Sequence, residues 1–291
     1  MSNDPVNPSI DSVGLVAIRT VVVPLDGSLR SERALPHAVS VAERAGAGIV
    51  LITTSWEGDS TTPRAYLAAK AAGLGERCED TFTIADAHPA AAILDVARAV
   101  DDPLVVMCTH GRGGVAATVL GRVAEAVVRE LHLPVALIGA HCESAAQLAT
   151  AKDVVLCFDE SPLSEAIVPI VAAWAERFEL HPWILEVSTS LSEAKPEANE
   201  RRAVELVRLR DALSRFGTAA DWDIVRDEHV PRGILRWADK VRPAWIVMST
   251  HGATGMNRLA LGSFTAAVVH EARCPVLAVH PRAVHGWWDR T

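Results

Sequence analysis

Residues 21–44 read VVVPLDGSLRSERALPHAVSVAER, and residues 154–177 read VVLCFDESPLSEAIVPIVAAWAER. The two segments align without a gap, so that Asp26 matches Asp159 and Ser31 matches Ser164. Each consists of an apolar run of strand length that ends in an aspartate and a helical pattern that follows it. Internal similarity on this scale indicates that one domain occurs twice in the chain.

A second pair of matching segments supports this repeat. LVVMCTHGRGGVAATVLGRV in the first copy aligns with WIVMSTHGATGMNRLALGSF in the second, and both lead to a Pro-Val apolar run. The second copy has the longer middle segment, near SLSEAKPEANERR. We therefore predict a polar lead-in at 1–18, a first domain at 19–141, a second domain at 152–281 and a tail at 282–291.

Apolar runs alternate with helical patterns in each copy, and the runs are continuously apolar instead of alternating. Strands of this kind are typical of a parallel sheet covered by helices on both faces. The fold class is therefore predicted to be α/β, with two tandem, doubly wound, Rossmann-like domains. Ser28 or Ser31 is expected to cap the first helix, and Ser161 and Ser164 repeat the arrangement.

Composition narrows the class of protein. Apolar residues make up 49% of the chain and charged residues 22%, which is typical of a globular protein. The net charge of −8 offers no basic face for nucleic acid. No apolar run approaches the roughly 20 residues of a membrane helix, and the N-terminus lacks secretory features. We expect a cytoplasmic protein without a membrane partner, whose five scattered cysteines are reduced thiols.

The loop STHGATGMNRLALGSF at 249–264 is the strongest candidate for a binding site. Glycines allow backbone N–H groups to approach an anion, and a helix that begins after the loop favours negative charge. The candidate phosphate ligands are Gly252, Gly255, Arg258, Gly262, Ser263 and Thr265. Neither the Walker nor the dinucleotide spacing is present, so an ordinary tight loop remains the alternative.

The sequence contains few other candidates for ligand-binding, metal-binding or catalytic residues. Asp26 and Asp159 end first strands, where a carboxylate could accept hydrogen bonds from a ligand or stabilise its own loop. No metal site is predicted, because His110 and His251 have no further ligand at metal-binding spacing. No known catalytic motif is present, so no catalytic residue is predicted.

The chain resembles the universal stress protein family in its tandem form, and the resemblance extends from about Thr20 to His280. The family's nucleotide-binding motif has glycine, two residues, glycine, nine residues, glycine and then serine or threonine. The second copy supplies the last two glycines and Ser263, with Ser249 at the first glycine. The resemblance implies an adenine-nucleotide alpha hydrolase-like fold, an aspartate at the nucleoside end and a backbone contact to adenine at Val187, or at Thr54 in the first copy.

The first copy departs further from the family motif. It keeps Gly111, Gly114 and Gly121, but Cys108 replaces the first glycine and Arg122 the hydroxyl residue. A guanidinium at this position could pair with phosphate or fill the pocket. The resemblance therefore predicts ATP, with or without Mg²⁺, mainly in the second domain.

The resemblance predicts a nucleotide-dependent regulator in stress response, with at most weak ATP hydrolysis. A nucleotide-independent, dimerising interaction protein of the same fold is the main alternative. A nucleotidyltransferase or ligase is disfavoured because its pyrophosphate motifs are missing. The final strands LPVALIG and CPVLAVH are expected to pair the two domains with each other or to form a homodimer, because an exposed strand edge favours pairing.

Overall fold

The computed structural model describes residues 18–55, 60–85, 87–111, 120–189, 196–214, 217, 219–250 and 262–280. Predicted site residues Gly114, Gly252, Gly255 and Arg258 lie outside these ranges, as do nearly all of the lead-in and the tail.

The first domain alternates strands with helices. Its strands are β1 (Thr20–Pro24), β2 (Gly48–Thr54), β3 (Cys78–Ile84), β4 (Pro103–Cys108) and β5 (Val135–Ile138). Its helices are α1 (Leu29–Glu32), α2 (Ala34–Ala45), α3 (Thr61–Leu74), α4 (Pro89–Ala99) and α5 (Arg122–Glu130), with a short 3₁₀ turn at Gly75–Arg77.

The second domain repeats this order after a connecting helix, α6 (Ala145–Leu148). Its strands are β6 (Asp153–Phe158), β7 (His181–Ser188), β8 (Asp221–Arg226), β9 (Trp245–Ser249) and β10 (Val276–Val279). Its helices are α7 (Pro162–Glu165), α8 (Val168–Arg177), α9 (Pro196–Ser214), α10 (Val230–Val241) and α11 (Ser263–Glu271). Among the described residues, no helix combines the length and the apolar character needed to cross a bilayer.

The described strands form one ten-stranded sheet in the order β3-β2-β1-β4-β5-β10-β9-β6-β7-β8. Neighbouring strands within each domain are parallel, whereas β5 and β10 pair antiparallel, with Leu277 opposite Ala136. The predicted doubly wound α/β class is confirmed. The predicted pairing of the final strands occurs between the two domains of one chain.

Successive side chains of the strands enter two separate cores. Val21 and Val23 pack on the face covered by α2 and α8, whereas Val22 packs on the face covered by α4, α5, α10 and α11. Both faces of a parallel strand are therefore buried, which explains the continuously apolar runs in the sequence.

The first helix of each domain is shorter than the sequence pattern predicts. A helix is expected to run on from Ser31, but α1 ends at Glu32 and α2 begins at Ala34. Pro36 has no N–H to donate to the carbonyl four residues earlier, and its ring crowds that carbonyl. Pro169 matches Pro36 in the repeat, and the second domain shows the same break between α7 and α8.

Two arginines at matching positions join the domains on the face opposite to α4 and α10. The Arg44 guanidinium donates to the Phe178 carbonyl, and the Arg177 guanidinium donates to the Ala45 carbonyl. Arg44 also lies over the Phe178 ring, 5.3 Å from its centroid. Each arginine thus binds a carbonyl at the C-terminal end of the other domain's helix, where positive charge is favoured.

Candidate functional site

Each domain has a crevice at the carboxyl end of its sheet, between the strands where the winding direction reverses. In the first domain β1 lies next to β4, and in the second β6 lies next to β9. The loops that follow these neighbouring strands turn towards helices on opposite faces, which leaves a gap where ligands of doubly wound folds bind. Asp26 follows β1 and Asp159 follows β6, so both predicted aspartates lie at these crevices.

The loop after the first strand holds its aspartate in the same way in both domains. Asp26 Oδ1 accepts hydrogen bonds from the Ser28 backbone N–H at 3.0 Å and from its hydroxyl at 2.7 Å. Asp159 Oδ1 accepts the matching bonds from Ser161 at 3.1 and 2.5 Å. The serine hydroxyls in turn cap α1 and α7, which confirms the predicted caps at Ser28 and Ser161.

In the first domain, a glycine from the neighbouring loop packs directly against this carboxylate. A Cβ atom added to Gly111 would lie 1.9 Å from Asp26 Oδ2. A side chain at this position would displace the carboxylate, so glycine allows Asp26 to keep its place beside the β4 loop. The contact brings two predicted site residues together from the ends of β1 and β4.

A cavity of about 670 Å³ fills the crevice of the first domain. This volume lies within the usual range for small-molecule sites, roughly 300–1,000 Å³. Its polar residues include Asp26, Thr53, His110 and Arg122, and its apolar residues include Pro89, Ile93, Met107, Leu120 and Val123. The lining of the cavity therefore combines apolar side chains with polar groups.

The helix that begins at the last glycine of the motif points its N-terminus at the crevice in both domains. Gly121 N–H donates to the Thr109 carbonyl and Gly262 N–H to the Thr250 carbonyl, both at 2.8 Å. Neither α5 nor α11 has a side chain that caps its N-terminus. The N–H groups of a helix's first turn have no partner within the helix, so those of α5 and α11 are candidate donors to an anion.

The predicted hydroxyl ligands of the second domain differ in their positions. Ser263 is the first residue of α11 and is exposed. Thr265 is buried, and its hydroxyl donates to the Ser249 carbonyl at 3.1 Å. The Thr265 hydroxyl thus joins α11 to the end of β9, and the predicted donation to a phosphate would require this hydroxyl to turn.

The backbone beside the predicted adenine position faces the crevice in both domains. Ser188 carbonyl accepts from Asp227 on the β8 side, and Ser55 N–H donates to Ile84 on the β3 side. Backbone groups of successive strand residues point in opposite directions. Val187 and Thr54 therefore direct their N–H and C=O groups towards the first strand of each domain, where the crevice lies.

Residues that the sequence analysis missed support the crevice from the third helix of each domain. In the first domain Tyr66 donates to Glu32 at 3.0 Å, and Lys70 forms an ion pair with the same carboxylate at 2.7 Å. In the second domain Arg202 contacts the buried Glu186 at 2.9 Å and Glu160 at 3.2 Å. The middle segments of the two copies do not align, so no repeat signal could identify these contacts.

A further ion-pair cluster lies at the N-terminus of α10. Asp227 is buried and contacts Arg232 at 2.6 Å and Arg236 at 3.1 Å. It also accepts the His229 backbone N–H at 3.0 Å. The Arg232 hydrogen bond, followed by the His229 N–H, lowers the pKa of Asp227 to about 2.

This shift predicts how the stability of the second domain depends on pH. The folded pKa of Asp227 is lower than that of a free aspartate, so its stabilising effect is complete above about pH 4 and is lost as pH falls towards 2. At pH 7 the urea concentration at the midpoint of unfolding should therefore be higher for wild type than for Asp227→Asn. The difference between the two midpoints should shrink between pH 4 and pH 2. Glu228→Gln, which alters a neighbouring carboxylate, is the control. A difference that persists unchanged at pH 2.5 would contradict the assignment.

The cysteine on the wall of the first-domain cavity is not an activated thiol. Burial raises the pKa of Cys108 to about 12, although Arg33 nearby opposes the shift. The thiolate is the nucleophilic form of cysteine, and it is scarcely populated at neutral pH with such a pKa. Cys108 therefore serves as part of the cavity wall. All five cysteines are unpaired, as predicted.

The fold is that of a tandem α/β protein, with a cavity at the carboxyl end of the first domain's sheet. The family model described as the universal stress protein family matches residues 17–139 and again residues 150–280. The chain therefore belongs to the universal stress protein family, in its tandem form.

Curated relatives carry the same family name. A universal stress protein of Mycolicibacterium smegmatis is 34% identical over 133 residues, which cover 40% of this chain and 45% of that protein. A universal stress protein of Mycobacterium tuberculosis is 26% identical over 229 residues, which cover 72% of each chain. The chain thus aligns with less than half of the first relative's length and with most of the second's.

Solved structures share the tandem fold. A putative universal stress protein from Pseudomonas aeruginosa covers 93% of this chain at a TM-score of 0.66 and 16% identity, and the match includes 96% of that protein. A universal stress protein from Archaeoglobus fulgidus was solved in complex with dAMP; it covers 44% of this chain and 97% of that protein, with 18% identity and a TM-score of 0.38. The first likeness shows the fold, and the second is too distant to carry an argument about this chain's ligand.

Proposed function

We propose that this universal stress protein binds ATP or a related adenine nucleotide at its crevices and acts in the stress response as a nucleotide-dependent regulator. The observation that carries the proposal is the 670 Å³ cavity of the first domain, which joins Asp26 to the N-terminus of α5. An apolar wall suits a base, and an uncapped helix N-terminus suits phosphate. Nucleotide occupancy would then alter conformation or partners, with at most weak hydrolysis.

The proposed binding mode uses the same elements in both domains. The phosphates would lie at the N-terminus of α5 or α11, where Gly121 and Gly262 begin the helices. Asp26 or Asp159 would accept a hydrogen bond from the nucleoside end. The backbone of Thr54 or Val187, which faces the crevice, would contact adenine.

The second domain is proposed as the tighter site because of one difference at the helix N-terminus. Ser263 is small, exposed and able to donate to a phosphate oxygen, and the predicted ligands Gly252, Gly255 and Arg258 precede it in the sequence. Arg122 occupies the matching position in the first domain and forms part of the cavity wall. A guanidinium there adds charge but reduces the space for a triphosphate.

Isothermal titration with ATP, with and without Mg²⁺, tests the proposal. Asp26→Ala and Asp159→Ala form a matched pair, since both aspartates have the same hydrogen bonds within their loops. Each should weaken binding at its own site by about tenfold, the effect expected for one hydrogen bond from a charged group. Asp159→Ala should weaken the higher-affinity phase of the ATP titration, because the second domain is proposed as the tighter site. The proposal fails if the wild type binds no ATP, or if neither substitution changes the titration.

One observation favours the alternative of a nucleotide-independent interaction protein. Thr265, a predicted phosphate ligand, is buried and donates within the protein. Gentle purification followed by denaturation and mass spectrometry separates the two functions. Released adenine nucleotide supports the regulator, whereas a nucleotide-free protein that also fails to bind ATP supports the alternative.

A further inference from the structure

A cluster of potential metal ligands lies where the two domains meet, and none of its residues lines the first-domain cavity. His141 belongs to the segment that follows β5, and His270 and Glu271 end α11 of the other domain. The ligand atoms of all three side chains lie within 4.8 Å of one another. His141 precedes His270 by 129 positions in the printed sequence, so only the pairing of the domains brings it to the other two residues.

The packing beneath the cluster fixes this arrangement. A Cβ atom added to Gly139 would lie 2.0 Å from the Val269 carbonyl oxygen. The chain leaving β5 therefore packs backbone to backbone on the last turn of α11. This contact places the His141 ring 5.8 Å from the His270 ring, in an edge-to-face orientation.

The distances within the cluster are close to those of a coordinated metal. His270 Nδ1 lies 2.7 Å from Glu271 Oε1, and His141 Nε2 lies 3.8 Å from Glu271 Oε2. In a tetrahedral zinc site with bonds of about 2.0–2.1 Å, neighbouring ligand atoms are about 3.3 Å apart. Coordination would replace the hydrogen bond between His270 and Glu271, and these exposed or half-buried side chains would rotate to bind the ion.

We propose that His141, His270 and Glu271 form a Zn²⁺ site that fastens the two domains together. Two imidazoles and one carboxylate, with water as the fourth ligand, form a common zinc ligand set. The C-terminus of α11 also favours a cation, because its unsatisfied carbonyl groups carry partial negative charge. The ligands come from both domains, so bound zinc stabilises their paired arrangement.

A second histidine pair across the same junction provides a matched control. His132 and His280 come from opposite domains, and their ring centroids are 4.7 Å apart. Among the described residues, no third metal-binding side chain joins this pair to form a three-ligand group. Removing His132 therefore changes an inter-domain histidine without changing the proposed site.

The test uses the full chain without a histidine tag. Zn²⁺ titration by calorimetry should show one site per chain, and Co²⁺ substitution should produce the visible absorption of a tetrahedral complex. His141→Ala and His270→Ala should each weaken Zn²⁺ binding by at least about tenfold, and His132→Ala should leave it unchanged. Zn²⁺ should raise the melting temperature of wild type and His132→Ala but not that of the two site variants.

Three results would overturn the proposal. The first is that wild type shows no saturable Zn²⁺ binding. The second is that His270→Ala binds Zn²⁺ as tightly as wild type. The third is that His132→Ala loses as much Zn²⁺ binding as His141→Ala. Glu271→Gln distinguishes coordination from general charge attraction. It should weaken Zn²⁺ binding about as much as the histidine variants, and unchanged binding would remove the carboxylate from the site.

Discussion

Gly111→Ala is expected to weaken ATP binding in the first domain by about tenfold, as much as Asp26→Ala, and to leave the protein folded. The new Cβ would occupy the position of Asp26 Oδ2, 1.9 Å away, so the carboxylate must turn away from the cavity. That movement breaks its hydrogen bonds to Ser28 and removes the proposed nucleoside contact. Only the nucleoside contact bears on ATP affinity, and loss of one hydrogen bond to a charged group, about 1.5 kcal/mol, corresponds to roughly tenfold.

Calorimetric titration with ATP measures this effect, and Gly73→Ala is the matched control. Gly73 lies in α3, and an added Cβ there would meet nothing within 4 Å. The control should bind ATP as wild type does. The first-domain phase of the titration is identified as the one that Asp26→Ala weakens. Equal first-domain affinities for Gly111→Ala and Gly73→Ala would show that the nucleotide does not use the Asp26 side of the cavity.

The second large effect concerns the junction between the domains. We expect Gly139→Val to lower the free energy of unfolding by about 3 kcal/mol, the upper part of the usual range for overpacking. The added Cβ would lie 2.0 Å from a backbone oxygen, and a backbone group of α11 cannot rotate away as a side chain can. The displacement would disturb the antiparallel pairing of β5 with β10.

Urea unfolding followed by tryptophan fluorescence tests this prediction, and hydrogen exchange locates the change. Amide protection should fall first in Val135–Ile138 and Val276–Val279, the two strands at the junction. Gly73→Ala again serves as the control, since it should unfold at the wild-type midpoint or slightly above it. Wild-type stability and protection in Gly139→Val would show that the junction tolerates a side chain at this position.

Much of the fold follows from the repeat in the sequence. Apolar runs with buried faces on both sides predict parallel strands, and matching residues such as Asp26 and Asp159 occupy matching loops. The break between α1 and α2 was missed because the apolar pattern continues through it. Pro36 carries the signal for the break, through the hydrogen bond that it cannot donate.

The candidate site was less predictable than the fold. Sequence spacing identifies Gly111 and Gly121, but it cannot show that Gly111 packs on Asp26. In the sequence Ser263 and Thr265 are equivalent hydroxyl residues, but in the structure Ser263 is exposed and Thr265 is buried. The contacts of Tyr66 and Arg202 arise from middle segments that differ between the copies. Long-range packing determines all of these features, and local pattern contains no information about it.

The antiparallel pairing of β5 with β10 has a consequence for assembly. Both strands belong to one chain, and this covalent link gives each a high effective concentration near the other. Their pairing therefore does not depend on the protein concentration. A second copy of the chain cannot use these edges while they are occupied. The outer strands are acidic: β3 carries Glu79 and Asp80, and β8 carries Asp221 and Asp223. Acidic edges resist the addition of another strand. Fusion of two domains thus yields an internal dimer whose sheet is protected from indefinite extension.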